Sequence, residues 1–373
     1  IQTGYTALTL TDIAASVTRT ASDTNKYFQT VLYEGNGSER NIQSDTTTNT
    51  SAFSWIKNRD AADNHMLFDR VRGATKDWHS NAAATQDINA QTVKAFLGGG
   101  VTLGTDVEVN TDSESYVLWN WMMEAAGTGS PNIEGTIDTT STLVDQTLGM
   151  SISTFTGASV NGAGTTIGHG LDVAPEMIIV KNLSYAGSAA VYHSGSWVSA
   201  GDPGVLYLNG VAGRSGDTNV FGTSGAVTDT TFTVGNWRGT NYAGELFVAY
   251  CFAPSQFISI GSATANNVVN GTFIPTLNSL GVPIQPVWGL FKQNASSNWF
   301  IYDGARDTYN ATSNSLAANT TAIEDTTGND IDFVSGGVKM RTALNPNYQT
   351  TAIYSITIGT PIIDTAGRII AGR

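Results

Sequence analysis

Three observations predict an all-β fold of three tandem β-sandwich modules, jelly-roll or lectin-like. Forty glycines, nine prolines and only 13% charged residues accompany many Thr, Ser and Asn, a composition suited to short strands and frequent turns. An apolar strand ending in a lysine occurs three times, in Phe53–Asn58, Met177–Asn182 and Trp288–Gln293. Each leads through turn-forming residues to a second short strand, and Lys57–Phe68, Lys181–Tyr192 and Lys292–Tyr302 lie eleven, eleven and ten positions apart. A closing pair of strands recurs as well: Leu103 to Trp121, Val234 to Phe252 and Met340 to Ile358 are each eighteen positions apart. Successive lysines are 124 and 111 residues apart, too far for solenoid or propeller units and long enough for a small core in each.

In chain order, residues 1–26 are Thr-rich and polar and predict an N-terminal arm. Module 1 covers 27–123. It opens with a lead-in strand, Phe28–Tyr33, that runs into the tight-turn signal Asn36-Gly37. Arg70–Asn81 and Asn89–Gly100 read as loops, and Gly98-Gly99-Gly100 marks a permissive backbone. Residues 124–149, rich in Gly, Ser and Thr, read as a linker. Module 2 covers 150–256 with the lead-in strand Ile152–Thr156, and module 3 covers 257–360 with Phe257–Gly261. Residues 361–373 fall outside the third unit; apolar and Arg-ended, with Arg368, Ile369, Ile370 and Arg373, they predict a docking tail.

The lysine strand is apolar at adjacent positions, Trp55/Ile56, Ile179/Val180 and Leu290/Phe291, so it should be covered on both faces. The closing strand alternates. Val117, Trp119 and Trp121 share one side, Tyr250 and Phe252 take the same places in module 2, and Ile356 and Ile358 in module 3. Isoleucine there favours a core face over a sugar platform. Lys57, Lys181 and Lys292 stand at strand exits, where the stem can cover apolar surface while the ammonium reaches water or a carboxylate. A structural role is expected.

The net charge of −13 opposes binding to polyphosphate, so no nucleic-acid partner is expected. No apolar run approaches the ~20 residues that span a bilayer, and no basic-then-apolar leader is visible; the chain starts at Ile1, as if after a processed or omitted segment. The one cysteine, Cys251, lies in an apolar strand and reads as a buried thiol. His65, His79, His169 and His193 are scattered, without metal-site spacing. His193 takes the place that Asp69 and Asp303 hold in the other copies. Gly162-Ala163-Gly164 has no helix to receive a phosphate. Asp106, Glu108, Asp112 and Glu114, like Asp325, Asp330 and Asp332, read as solvated acidic loops, with weak calcium binding as the alternative. No catalytic residue, cofactor or resident metal is expected. Trp78, Trp197, Trp237, Tyr242 and Tyr309 lie among Gly, Asn and Ser, outside the alternating strands. Such rings can stack on sugars or bury into a partner; packing over the sandwich ends is the other reading.

Gly168-His169-Gly170-Leu171 with Ala174–Asn182, and Leu246–Pro254, resemble a module of marine tailed-bacteriophage structural proteins, cyanophage-like and pelagiphage-like. Trp55–Arg59 with Phe68–Lys76 matches a neighbouring copy of it. The resemblance covers about residues 50–360. It implies a virion location, other virion proteins as partners, a homo-oligomer with a trimer favoured, and no enzymatic activity. A tail fibre or adhesin contacting host surface polysaccharide is the first role implied. Capsid decoration or a head fibre is the alternative, and a polysaccharide depolymerase a third.

Overall fold

The structure, a computed structural model, describes residues 21–44, 49–158, 165–199, 201–222, 226–328 and 330–362. Each module is a sandwich of a large and a small antiparallel sheet, and the three share one strand order. In module 1 the lead-in strand Phe28–Glu34 pairs with the closing strand Ser115–Met123. That strand pairs with the lysine strand Thr50–Asn58, which pairs with Met66–Asp69 and, beyond it, Lys76–His79. Module 2 repeats the order with Met150–Thr156, Leu246–Phe252, Met177–Asn182, Ala190–His193 and Val205–Tyr207. Module 3 repeats it with Ile258–Thr264, Ala352–Pro361, Ile284–Gln293, Trp299–Asp303 and Leu316–Ala317. The small sheets contain Arg40–Gln43, Gly100–Leu103 and Val93–Leu97 in module 1, Thr165–Gly168 and Thr231–Val234 in module 2, and Phe273–Pro275, Gly337–Met340 and Ile331–Val334 in module 3.

Strand alternation sorts the apolar residues into four cores. Ile56, Leu118 and Tyr116 face the small sheet of module 1; Val180, Phe247, Ala249 and Cys251 do so in module 2, and Phe291 and Ile353 in module 3. The opposite faces of all three large sheets meet in a single central core. There Trp55, Trp119 and Trp121 join Ile179, Tyr250 and Phe252 and Leu290, Ile356 and Ile358. Trp121 and Trp288, from modules 1 and 3, meet edge to face at 5.2 Å, and Phe53 and Tyr250, from modules 1 and 2, lie 4.8 Å apart. Both faces of the lysine strand are covered, as its sequence predicts. The closing strand differs from expectation: it too is buried on both sides, because its aromatic face meets neighbouring modules while its other face fills its own sandwich.

Four segments depart from the sequence reading. Lys76–His79 and Val93–Leu97, inside stretches read as loops, are strands of the large and the small sheet of module 1. Within 124–149, read as a linker, Thr139–Asp145 forms a strand that pairs with Met150–Thr156 and extends the large sheet of module 2. Its polar Thr/Ser half conceals Leu143 and Val144, the first fully buried and the second packed on the module core. At the N-terminus, Ala21–Tyr27 is a short helix, from which Thr24 Oγ1 lies 3.0 Å from Thr360 Oγ1 of module 3. The rest of the expected arm, and the tail residues Arg368, Ile369, Ile370 and Arg373, lie outside the described residues.

Candidate functional site

The three lysines are buried, and their ammonium groups turn inward instead of reaching water. Lys57 Nζ donates to Asn58 O at 2.6 Å and Ala61 O at 2.9 Å. Lys181 Nζ donates to Gly187 O at 2.5 Å. Lys292 Nζ donates to Gln293 O, Ala295 O and, across a module boundary, Val211 O at 2.7, 2.8 and 3.1 Å. Burial pushes each lysine down to about 8. A chain turn closed on backbone carbonyls is the common arrangement. It supports the structural role and replaces the expected water or carboxylate with backbone.

That turn is a docking point. Gln86 N of module 1 donates to Leu183 O, two residues past Lys181. Arg214 N of module 2 donates to Asn294 Oδ1, two past Lys292, and Glu324 N of module 3 donates to Arg59 O, two past Lys57. Each module therefore sets the same loop on the same turn of the next: 1 on 2, 2 on 3, 3 on 1. Arg59 and Glu324 add an ion pair at 2.7 Å.

A second set of contacts follows the same cycle at the centre. Tyr250 Oη of module 2 donates to Asp69 Oδ2 of module 1 at 2.7 Å. Trp119 Nε1 of module 1 donates to Asp303 Oδ2 of module 3 at 2.9 Å. His193 of module 2 places Nε2 3.2 Å from Ser355 O of module 3. Its Nδ1 accepts from Gly195 N at 3.0 Å, so the neutral ring uses both nitrogens, and burial pushes its pKa down to about 4. Asp69 and Asp303 are each held by an arginine three residues on, Arg72 and Arg306. The repeated Asp-x-x-Arg, in Asp69–Arg72 and Asp303–Arg306, is a sequence signal that the reading above passed over.

The five candidate aromatics separate. Trp78 is a correction: it is buried in the strand Lys76–His79 and its indole donates to Tyr250 Oη at 2.9 Å. Its three polar residues, Lys76, Asp77 and His79, conceal that strand in a sequence read for alternation. Trp237 is half-buried against the module 2 core, edge-on to Tyr207 at 5.6 Å. Tyr242 is exposed and joins Tyr185 about Arg238, whose guanidinium carbon lies 4.9 and 3.9 Å from the two ring centres. Trp197 and Tyr309 are also exposed, at 43% and 85%, and they occupy the same loop of successive modules. This loop follows His193 in one and Asp303 in the other. It spans eleven residues in module 2 and twelve in module 3, against six in module 1.

Asp106 caps the short helix Val107–Asn110 by accepting from Glu108 N at 2.9 Å, Glu114 accepts from Asn58 Nδ2 at 2.6 Å, and Asp332 pairs with Arg341. Among the described residues no group of three or more His, Cys, Asp or Glu side chains is placed to hold a metal ion. Burial pushes the Cys251 thiol up to about 12, which keeps it protonated.

Fold and contacts define a class: an all-β protein whose three sandwich modules close into a ring within one chain. Residues 23–356 match the family model DUF7483, a domain of unknown function, and the chain belongs to that family. The match runs from the first helix into the last closing strand, so the family unit is the whole ring. No curated protein matches the chain.

Proposed function

We propose that the protein is a non-enzymatic structural component of a bacteriophage virion, exposed on the particle surface as a tail fibre or adhesin contacting host glycans. The observation that carries this reading is the placement of Trp197 and Tyr309. Two exposed rings stand on the same loop of successive modules, on a ring held rigid by buried contacts. Exposed aromatics on loops over a rigid scaffold are suited to stacking on sugars. The resemblance of Ala174–Asn182 and Leu246–Pro254 to modules of phage structural proteins supports the virion setting. Binding of purified protein to marine bacterial isolates, lost after periodate treatment of the cells, is the expected result. Binding that periodate leaves intact overturns the glycan reading.

One sequence feature favours capsid decoration as the second reading: the apolar tail with Arg368, Ile369, Ile370 and Arg373 suits docking on another virion protein. Binding to emptied capsids, weakened by deleting residues 361–373, would distinguish it.

A further inference from the structure

We propose that a cleft between the Tyr309 loop of module 3 and the lead-in strand of module 1 binds a neutral saccharide. The proposal rests on the surface-glycan reading only for the source of its ligand; the chemistry is the cleft's own.

The cleft has a volume of about 430 Å³, within the range of small-molecule sites. It lies where the repeat should have made a contact. At the boundary of modules 2 and 3, the loop after His193 packs on the lead-in strand Ile258–Thr264, so closely that a Cβ on Gly195 would come within 2.8 Å of the Ser262 side chain. At the boundary of modules 3 and 1 the same two elements stand apart and the cleft opens between them. At the remaining boundary the loop is short, and Arg70 Nη2 donates to Ala125 O, just past the closing strand of its own module, at 2.6 Å. Of the two junctions that carry the long loop, one is therefore packed and the other open.

Its lining has two characters. Buried Phe28, Pro286 and Phe333 supply apolar surface, and Tyr309, 85% exposed, stands at the mouth. With Val287, Gly304 and Ala305, amide and hydroxyl side chains supply the rest, and among the described residues Asp307 is the one charged group lining the cleft. A sugar ring presents the complement, a C–H face for an aromatic plane and hydroxyls for amides and carboxylates. Among the described residues no Lys or Arg lines the cleft, which together with a net charge of −13 disfavours acidic polymers.

The polar groups are held in place before any ligand arrives. Asn310 donates to Phe333 O at 2.9 Å and accepts from Phe333 N at 3.0 Å. Asp307 accepts from Asn314 N and Nδ2 at 2.7 and 2.9 Å, and Gln285 Nε2 donates to Phe333 O at 3.3 Å. A carboxylate or amide oxygen with one such bond retains acceptor capacity, and fixed side chains lose little entropy on binding.

Electrophoresis of the purified chain through gels containing dextran, laminarin or mannan, all neutral, or alginate, which is acidic, tests the proposal. Retardation by at least one neutral polymer and not by alginate is expected. Tyr309→Ala should weaken it by about tenfold or more, while Tyr242→Ala leaves it unchanged; near-native circular dichroism establishes that each variant folds. Retardation by none of the neutral polymers, by alginate alone, or equally in Tyr309→Ala overturns the cleft. Cell adhesion by a chain that none of the neutral polymers retards overturns the cleft and spares the surface-protein reading. Tyr309-dependent retardation without adhesion to any isolate upholds the cleft and overturns the adhesin.

Discussion

The Tyr250 hydroxyl of module 2 donates to the Asp69 carboxylate of module 1 at 2.7 Å, in a site that neither residue's own sandwich encloses. Asp69 also holds Arg72, and Tyr250 also accepts from Trp78 at 2.9 Å. One phenol thus joins two strands of module 1 to module 2. Tyr250→Phe keeps the ring and removes the hydroxyl, leaving a buried carboxylate and an indole N–H each short of a partner. A loss of about 1–3 kcal/mol in urea unfolding is expected; an effect below about 0.5 kcal/mol would contradict this account. Tyr309→Phe, at an exposed ring, should be neutral.

The central core belongs to all three modules, so they should unfold together. Calorimetry is expected to show one transition whose calorimetric and van't Hoff enthalpies agree. Trp119→Ala, which empties a fully buried site and leaves Asp303 without its indole donor, should lower stability by about 3–5 kcal/mol without splitting that transition. Three resolved transitions would contradict a shared core.

His193 makes the boundary of modules 2 and 3 sensitive to acid. Its folded pKa is pushed down to about 4 by burial from an ordinary value of 6.5. Between these values the unfolded chain binds a proton that the folded one refuses, so stability is lost as pH falls from 6.5 to 4. The contribution is about 3 kcal/mol. His193→Gln should flatten the fall in the denaturation midpoint over that window; an unchanged profile would remove His193 as the cause.

Each lysine ammonium serves a different number of carbonyls: three at Lys292, two at Lys57 and one at Lys181. Replacement by methionine keeps the stem and strands those carbonyls. Destabilisation should rank Lys292→Met above Lys57→Met above Lys181→Met, at about 1 kcal/mol per stranded group. With folded pKa values near 8 against 10.5, the unfolded chain holds more protons above pH 8, so these groups make stability rise with pH. The rise should show between pH 8 and 9, before the Cys251 thiol, raised from 9 to about 12, begins to oppose it. A midpoint that falls between pH 8 and 9, or a different rank order, would count against the carbonyl cages.

The repeat was legible because alternation and spacing survive divergence: Trp55, Ile179 and Leu290 mark one face of the lysine strand although no two side chains match. What that face meets was not legible. Period-two patterning says that Trp119 is buried, and a neighbouring module buries it as well as a second sheet would. Trp78 and Thr139–Asp145 were missed for a different reason. In short polar strands the pairing comes from backbone, so composition reads as loop or linker. The lysine turns illustrate the same limit, since the acceptors of Lys57 are main-chain oxygens that every residue possesses. Of the loop aromatics, exposure singled out Trp197, Tyr242 and Tyr309, and exposure depends on what the fold leaves uncovered.

Closure of the cycle inside one chain has a consequence for dilution. Three separate modules joined by these same contacts would come apart as their concentration fell, whereas covalent linkage holds each module at a fixed effective concentration beside the next. Identical subunits must also change at three places whenever they change at one. Here the loop after Asp303 could lengthen and stand away while its counterpart after His193 stayed packed, so threefold architecture carries an opening that the equivalent junction of modules 2 and 3 does not share.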